Sequence, residues 1–412
     1  MKKKNLKLLN GLVILIFCLG SGASGQVKAI RGAEVHTKTG VTILAGVVLI
    51  DGGRIVAVGG PEISIPPGAE IIEASGWVLY PGFMAPSALL TSEEIVNYES
   101  FSPDSSAVDR LNLYGDYRRY WAGGITSIYL DLPKNRLIPG RGAVIKLAPV
   151  GAKSAIVNKD AALRINLIKE AFLPPLVKVY PAPVSTENPI TPAQKQFPSS
   201  ALGAYWVIPS LFDFEPYAGD FAKYNQEIAA SLRSAQEQKL PLLVQCRKAA
   251  EIVRAMALAE ELKMPLILSG AAEAHKLAAA LKGRNIPVIA ELDLMINDVY
   301  AGGAVAEDAP GVGNIPGLLR QGILLALSPS QEKYVPDLLW LALYFRRYGF
   351  SDDELIKTIT ISPAQIFGVE ERLGSLEAGK DADILFFRPE AGRPWPPLKK
   401  VMVEGRIVYE QE

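Results

Sequence analysis

Short apolar runs separated by turn residues mark both ends of the chain. Val47–Ile50 and Ile55–Gly59 flank Asp51-Gly52-Gly53-Arg54, a pattern typical of two strands joined by a glycine-containing hairpin turn. Neither end has enough strands for a stable sheet alone, so we expect the two ends to pair into one small β domain. Further strands are predicted at 70–74, 77–80, 382–387 and 401–409, with a proline-rich connector at 389–397.

The middle of the chain has a different pattern, in which buried apolar runs alternate with amphipathic stretches. This alternation predicts parallel βα units, and a barrel is the closed form of that arrangement. The stretch 159–235 is less regular and rich in proline clusters, so no strand is assigned there. Strands are predicted at 125–130, 143–147, 241–245, 265–268, 287–290 and 323–327, and helices at 249–262, 273–281, 336–347 and 352–359.

The first 25 residues have the pattern of a secretory signal peptide. Four lysines precede an apolar run at 12–19, and the small residues Ala23-Ser24-Gly25 follow. The run is too short to span a bilayer permanently. Phe17 before Cys18 disfavours a lipoprotein signal. We therefore expect export to the periplasm or the extracellular space, with cleavage after about Gly25.

Composition narrows the class of protein. The chain is 49% hydrophobic and 21% charged, which is typical of a globular protein with a large core. Lys+Arg and Asp+Glu both number 43, and no basic run follows the signal, so nucleic acid and anionic membrane surfaces are not expected partners. No later apolar stretch is long enough to predict a transmembrane segment in the mature chain.

Five motifs are spread along the chain. They are Asp51-Gly52-Gly53-Arg54-Ile55-Val56-Ala57-Val58-Gly59, Pro81-Gly82-Phe83-Met84-Ala85, Gly140-Arg141-Gly142-Ala143-Val144, Ser362-Pro363-Ala364-Gln365-Ile366-Phe367-Gly368 and Leu373-Gly374-Ser375-Leu376-Glu377-Ala378-Gly379-Lys380-Asp381-Ala382-Asp383-Ile384. Together they resemble the amidohydrolase superfamily, near its imidazolonepropionase-like and secreted branches. The resemblance covers essentially all of the mature chain.

The resemblance implies an α/β fold, a (β/α)8 TIM-like barrel with a composite β-sandwich built from both chain ends. It also implies zinc or another divalent metal at the barrel mouth and hydrolysis of C–N bonds in non-peptide or dipeptide substrates by metal-activated water. The expected domains are a signal peptide at 1–25, the sandwich at 27–80 and 371–412, and the barrel at 81–370.

Metal ligands are hard to find in this chain, which has only two histidines, His36 and His275. Placed against the family's pattern, the His-x-His pair of the first barrel strand becomes Ser87 and Leu89, and leucine cannot bind a metal. The ligands expected after the fifth, sixth and eighth strands become Gln245 or Arg247, Gly270, and Pro329 or Ser330. The sequence therefore predicts no metal ligand and no cofactor.

Polar residues at the ends of barrel strands remain as candidates, because barrels place function there. The alternative for the acidic residues is that they are simply solvated, and for His275 that it is a partly exposed helix residue. The catalytic candidates are His275, Asp131, Glu291 and Asp293, and the ligand-binding candidates are Arg247, Gln245, Ser87, Ser330, Glu93 and Glu94.

Two functions of different classes stay open at this point. The first is an exported amidohydrolase-family enzyme acting on C–N bonds through a rearranged site. The second is a metal-free pseudoenzyme that binds a small molecule or a partner protein in the barrel mouth. The fold fits both, because fold alone does not determine function.

Overall fold

A computed structural model describes residues 26–37, 40, 42–90, 100–112, 115–148, 155–172, 197–213, 222–292 and 315–411. Within these ranges no helix is long and apolar enough to cross a membrane. The predicted signal peptide at 1–25 lies outside them.

The first sheet combines strands from both chain ends, as the sequence predicts. Its neighbours run in the order β16-β15-β14-β5-β1-β2-β3, and β4 pairs with β1. The two ends meet where β5 pairs antiparallel with β14, which places Tyr80 opposite Leu385. The strands are β1 Lys28–Val35, β2 Ile43–Asp51, β3 Arg54–Gly59, β4 Glu70–Glu73, β5 Val78–Pro81, β14 Ile384–Phe387, β15 Leu398–Val403 and β16 Arg406–Glu410.

The hairpin between β2 and β3 shows why glycines occupy positions 52 and 53 of its turn. Gly52 and Gly53 have φ angles of +55° and +82°, a left-handed pair that glycine adopts without a steric cost. A Cβ on Gly53 would also lie 2.9 Å from the carbonyl oxygen of Glu404 in the opposite chain end. The turn therefore fixes both the hairpin and its packing against the C-terminal strands.

The second sheet is a nearly closed eight-stranded barrel, which confirms the predicted fold class. The strands follow chain order from β6 to β13, and β13 contacts β6 across the closure. Chain order is what successive strand-to-strand connections produce. The strands are β6 Phe83–Ala88, β7 Ile125–Leu130, β8 Gly140–Lys146, β9 Ile156–Asn166, β10 Leu242–Cys246, β11 Leu266–Gly270, β12 Val288–Leu292 and β13 Leu325–Pro329.

One strand departs from the expected parallel order. The stretch 143–147 was predicted as part of a parallel unit, but β8 runs antiparallel to both β7 and β9. The physical reason is the connections, because parallel neighbours need a crossover of a dozen or more residues and those on either side of β8 are shorter. The domain boundaries proposed from sequence stay a prediction.

Helices cover the outside of the barrel. The predicted helix at 249–262 is observed, whereas that at 336–347 is divided among two 3-10 turns and a short α-helix, with Pro336 in the first turn. The α-helices are α1 Arg118–Ala122, α2 Ala201–Asp213, α3 Ala222–Glu237, α4 Ala249–Leu262, α5 Ala278–Gly283, α6 Ile315–Arg320, α7 Leu338–Leu343, α8 Asp352–Lys357 and α9 Ile361–Ile366. The 3-10 turns are Ala107–Arg110, Lys169–Phe172, Ala274–Leu277, Glu332–Asp337 and Tyr344–Tyr348.

The barrel interior has an apolar layer below the carboxyl ends of the parallel strands, in the half that we call lower. Successive strand residues point to opposite faces, so every second residue faces inward. Tyr129 is fully buried in this layer and stacks on Phe367 with ring centroids 4.2 Å apart. The layer also contains Met84, Leu243, Ile267, Ile289 and Ala326.

A buried lysine joins the lower end of the barrel to the first sheet. Lys146 at the end of β8 has no exposed side-chain surface, and its Nζ lies 3.0 Å from Asp381, 2.9 Å from Asp383 and 3.4 Å from Glu404. Burial raises the pKa of Asp383, whereas at Asp381 the nearby Lys146 and Arg372 outweigh burial and lower the pKa. The ammonium thus compensates Asp383, which has no other cation partner among the described residues, and shares Asp381 with Arg372.

Replacing Lys146 with methionine tests this junction. We expect the free energy of unfolding to fall by about 3–5 kcal/mol, because the variant leaves buried Asp383 without a cation partner among the described residues. Urea unfolding at pH 7 measures the change. Lys159→Met is the matched control, since Lys159 is exposed on the adjacent strand β9 and should change stability by less than about 0.5 kcal/mol. Equal effects of the two substitutions would contradict the proposed role.

Candidate active site at the barrel mouth

A polar layer lies directly above the apolar layer, at the carboxyl ends of the parallel strands. The alternation of the strands produces it, because Gln245, Ser269 and Glu291 each follow an inward apolar residue by two positions. All three side chains are buried. Buried polar groups require hydrogen-bond partners, and this layer supplies them internally.

Arg164 is the centre of this layer. It lies on β9 and is fully buried. Its Nε donates to Asn166 Oδ1 at 2.9 Å and its Nη2 donates to Gln245 Oε1 at 2.5 Å. Its Nη1 forms an ion pair with Asp131 Oδ2 at 3.2 Å. The planar guanidinium is suited to holding several acceptors in fixed directions.

Glu291 on β12 forms the second anionic centre. Its Oε1 accepts from Lys134 Nζ at 2.6 Å and from Ser269 Oγ at 2.8 Å, and its Oε2 accepts from Gln245 Nε2 at 3.0 Å. Burial alone would raise the pKa of Glu291, but the charges of Lys134 and Arg164 outweigh it and lower the pKa to about 2. Glu291 is therefore ionised at neutral pH.

Asp131 directly follows β7 and is the first anionic centre of the layer. Its Oδ2 accepts from Ser87 Oγ on β6 at 2.7 Å and also contacts Arg164. Its Oδ1 accepts from the backbone N–H of Leu132 at 2.8 Å. Both carboxylate oxygens thus have partners.

These contacts form a continuous chain of charged and amide groups around the barrel mouth, which we call the mouth ring. Two carboxylates and two cations make its formal charge neutral. Its members are Asp131, Arg164, Gln245, Glu291 and Lys134, in order of contact.

The structure therefore brings together some of the residues predicted from sequence. Asp131, Gln245 and Glu291 belong to the mouth ring, and Ser87 binds it directly. Ser330 follows β13, and its buried hydroxyl has no partner among the described residues. Asp293, Glu93 and Glu94 lie outside the described residues.

Two other candidates lie apart from the mouth ring. Arg247 pairs with Glu170 at 2.9 Å instead of binding a mouth-ring carboxylate. His275 lies in the 3-10 turn after β11, half-buried, and its Nδ1 has no hydrogen-bond partner among the described residues. Cys246 faces outward into the packed layer between strand and helix, where burial raises the pKa of its thiol.

Sequence reasoning missed the two cations of the mouth ring. Arg164 lies in the stretch 159–235, where the sequence predicts no strand. Nevertheless, Ala161-Ala162-Leu163-Arg164-Ile165-Asn166 has the apolar run of a buried strand. A charged residue within such a run indicates a buried ionic site. Lys134 lies in a loop after β7, and no sequence pattern indicates that it reaches β12.

The donor set at this mouth does not fit a divalent metal. No group of three or more histidine, cysteine or carboxylate side chains within the described ranges could hold an ion. Ser87, Leu89 and Gln245 occupy positions where imidazoles would be needed. Both described carboxylates of the mouth ring already have cation partners at 3.2 Å and 2.6 Å. No reaction step through a metal follows from these residues.

The chain shows similarity to known proteins over nearly its whole length. A model of the amidohydrolase family matches residues 218–408. An adenine deaminase from Moorella thermoacetica is 24% identical over 396 residues, covering 94% of this chain, which spans 58% of that protein's length. An amidohydrolase structure from Thermotoga maritima MSB8 matches with a TM-score of 0.74 and 25% identity over 93% of this chain and 100% of that one. Phenylurea hydrolase B shares the fold at 13% identity, with a TM-score of 0.56 over 93% of this chain and 97% of that one.

Fold, strand order and these matches together show that the chain belongs to the amidohydrolase superfamily, a family of hydrolases. Membership corrects one prediction. The sequence predicts no cofactor, and this prediction is wrong because members of the family are typically metal-dependent. A divalent metal is the cofactor that the family leads us to expect.

The depressed pKa of Glu291 predicts how stability depends on pH. Its pKa falls from 4.5 to about 2 on folding, so its contribution is present at neutral pH and is lost as pH drops below about 5. We expect the stability difference between wild type and Glu291→Gln to shrink by about 2 kcal/mol between pH 6 and pH 3. Urea unfolding across this range measures it.

The matched control is Glu260→Gln, because the Glu260 side chain is 73% exposed in its pair with Arg284. Its stability difference from wild type should stay small at every pH. A Glu291→Gln difference that is constant from pH 6 to pH 3 would show that the mouth ring does not hold this carboxylate ionised.

Proposed function

We propose that this protein hydrolyses a C–N bond of a small molecule at the mouth of its barrel. The observation that carries the proposal is the mouth ring, a set of buried polar groups at the carboxyl ends of the strands of an amidohydrolase barrel. Barrel enzymes place their chemistry at this end. The adenine deaminase relative supports a nitrogen-containing substrate, and hydantoins, lactams and dipeptides are the related classes to test.

The mouth ring contributes fixed charges to such a reaction. Asn166 and Gln245 orient the Arg164 guanidinium, which in turn holds Asp131. Glu291 holds Lys134, whose side chain is 28% exposed and so faces any molecule entering the mouth. Charges that are oriented before the reaction stabilise developing charge without reorganisation. Lys134 is the cation placed to contact a substrate oxygen, and Asp131 is a positioning residue.

Substrate turnover tests the proposal. Purified mature protein is incubated with adenine, hydantoin, lactam and dipeptide panels, with and without added Zn²⁺ or Mn²⁺, and released ammonia or amine is measured. We expect turnover of at least one class, and a drop of about tenfold or more in kcat/KM for Asp131→Asn, because the variant removes the anion that pairs with Arg164.

Asp116→Asn is the matched control for that substitution, because Asp116 pairs with Arg118 at the exposed surface. Its kcat/KM should equal that of wild type. Circular dichroism checks that both variants fold. Absence of turnover across every panel, with and without metal, would count against hydrolysis.

A second candidate is that the mouth binds a small molecule or a partner protein without hydrolysing it. The specific observation in its favour is that Glu291 has a pKa of about 2 and a lysine partner, which makes it a weak base at neutral pH. Elemental analysis and calorimetry separate the candidates. Stoichiometric bound metal with turnover supports the hydrolase, whereas ligand binding without product supports the binding protein.

We also propose that residues 1–25 direct export. The lysine-rich start and the following apolar run support this, and both lie outside the described residues. Expression of the full chain in a bacterial host should give a mature protein that begins near Gln26 in the periplasmic or extracellular fraction. N-terminal sequencing checks this, and an uncleaved chain in the cytoplasm would contradict export.

A further inference from the structure

Each carboxylate oxygen of Asp131 and Glu291 already accepts at least one hydrogen bond. Glu291 accepts three hydrogen bonds, from Lys134, Ser269 and Gln245. Asp131 accepts from Ser87 and the Leu132 backbone and also contacts a guanidinium. A ligand that needs acceptors therefore finds few at the described mouth.

A third carboxylate close to the mouth is also occupied. Glu332 accepts from the Tyr120 hydroxyl at 2.6 Å through Oε1 and from the Leu89 backbone N–H at 2.8 Å through Oε2. Leu89 directly follows β6, so this carboxylate lies at the same end of the barrel as the mouth ring. It holds the chain after β6, and each of its oxygens already accepts one hydrogen bond.

The mouth has more hydrogen-bond donors, in contrast, than described acceptors to pair with them. The ammonium of Lys134 carries three N–H groups and donates one hydrogen bond to a described residue, to Glu291. Arg164 Nη1 has no hydrogen bond and only the ion pair with Asp131 at 3.2 Å. The Ser330 hydroxyl is buried without a partner among the described residues. A buried donor without an acceptor costs free energy, which a ligand that supplies the acceptor recovers.

Two of these donors lie on the same side of the mouth. The backbone N–H of Ser330 donates to the Leu292 carbonyl oxygen at 2.8 Å, so Ser330 lies beside the end of β12. Glu291, the residue before Leu292, holds Lys134. Lys134 and Ser330 therefore flank the same strand end, one with a partly exposed cation and the other with an unpaired hydroxyl.

We propose that the mouth recognises its ligand through a carboxylate, which accepts hydrogen bonds from Lys134 and Ser330. The proposal rests on the proposed function only in placing the ligand at the mouth, and it adds the chemical class of that ligand, a small organic acid. The neutral mouth ring permits this, because each of its carboxylates is balanced by a cation and does not repel an incoming anion.

A matched pair of probes tests the proposal. N-acetylglycine and N-acetylglycinamide have nearly the same shape, but only the first carries a carboxylate. Isothermal titration calorimetry of wild-type protein should show at least about tenfold tighter binding of N-acetylglycine, since charge-assisted hydrogen bonds are about twice as strong as neutral ones. Equal affinity for the two probes, or no binding of either, would overturn the proposal.

Substitutions at Lys134 and Ser330 show whether these residues produce the preference for the carboxylate probe. Lys134→Met should abolish the preference for the carboxylate, Lys134→Arg should retain most of it, and Lys357→Met on the exposed face of α8 should leave it unchanged. Ser330→Ala removes a hydroxyl that has no described partner, so this variant should fold normally and lose about threefold or more of the preference. A preference that survives both Lys134→Met and Ser330→Ala would overturn the assignment.

The outcome separates this inference from the proposed hydrolysis. Carboxylate preference without any product would leave the inference standing and count against hydrolysis. Turnover of neutral substrates with no preference for the carboxylate probe would support hydrolysis and overturn the inference.

Discussion

The compensation of buried charge inside the barrel is the constraint on which this structure depends. Arg164 is fully buried, and an unpaired guanidinium there would cost several kcal/mol. The guanidinium is paired by three side chains, which are Asn166 on β9, Gln245 on β10 and Asp131 after β7. Gln245 then extends the network to Glu291. The pairing of one charge thus determines the positions of the polar side chains around most of the mouth.

Compensation of buried charge also operates at the opposite end of the barrel. The hairpin of β8 and β9 supplies a buried cation at each end, Lys146 at one and Arg164 at the other. Lys146 ends β8 and Arg164 lies near the end of β9, so the reversed direction of β8 places one cation at each end. Gly142 at the centre of β8 makes room for the Tyr129 ring, since a Cβ there would lie 2.0 Å from its hydroxyl oxygen. The antiparallel hairpin therefore joins the mouth ring to the junction with the first sheet.

Sequence patterns predict the scaffold far better than the site, and the reason is physical. Strand alternation and the Gly52-Gly53 turn are local signals, and the observed β2, β3, β10 and β11 follow them closely. The family motifs likewise predict membership correctly. The site depends on contacts between distant residues, such as Lys134 with Glu291, which no local pattern encodes. The sequence does not predict the strand that carries Arg164, because its short apolar run lies in the proline-rich stretch 159–235.

The electrostatics of the mouth ring also decide which groups are available for chemistry. A carboxylate whose pKa lies near 2 is almost never protonated at neutral pH and accepts a proton reluctantly, so Glu291 is unsuited to general-base work. Its hydrogen bonds from Ser269 and Gln245 instead fix the carboxylate that holds Lys134, whose side chain is 28% exposed and donates one of its three N–H groups to a described residue. Glu291 thus serves to hold Lys134, as Asp131 holds Arg164. Recognition by donated hydrogen bonds follows from that arrangement, whichever reaction the mouth carries out.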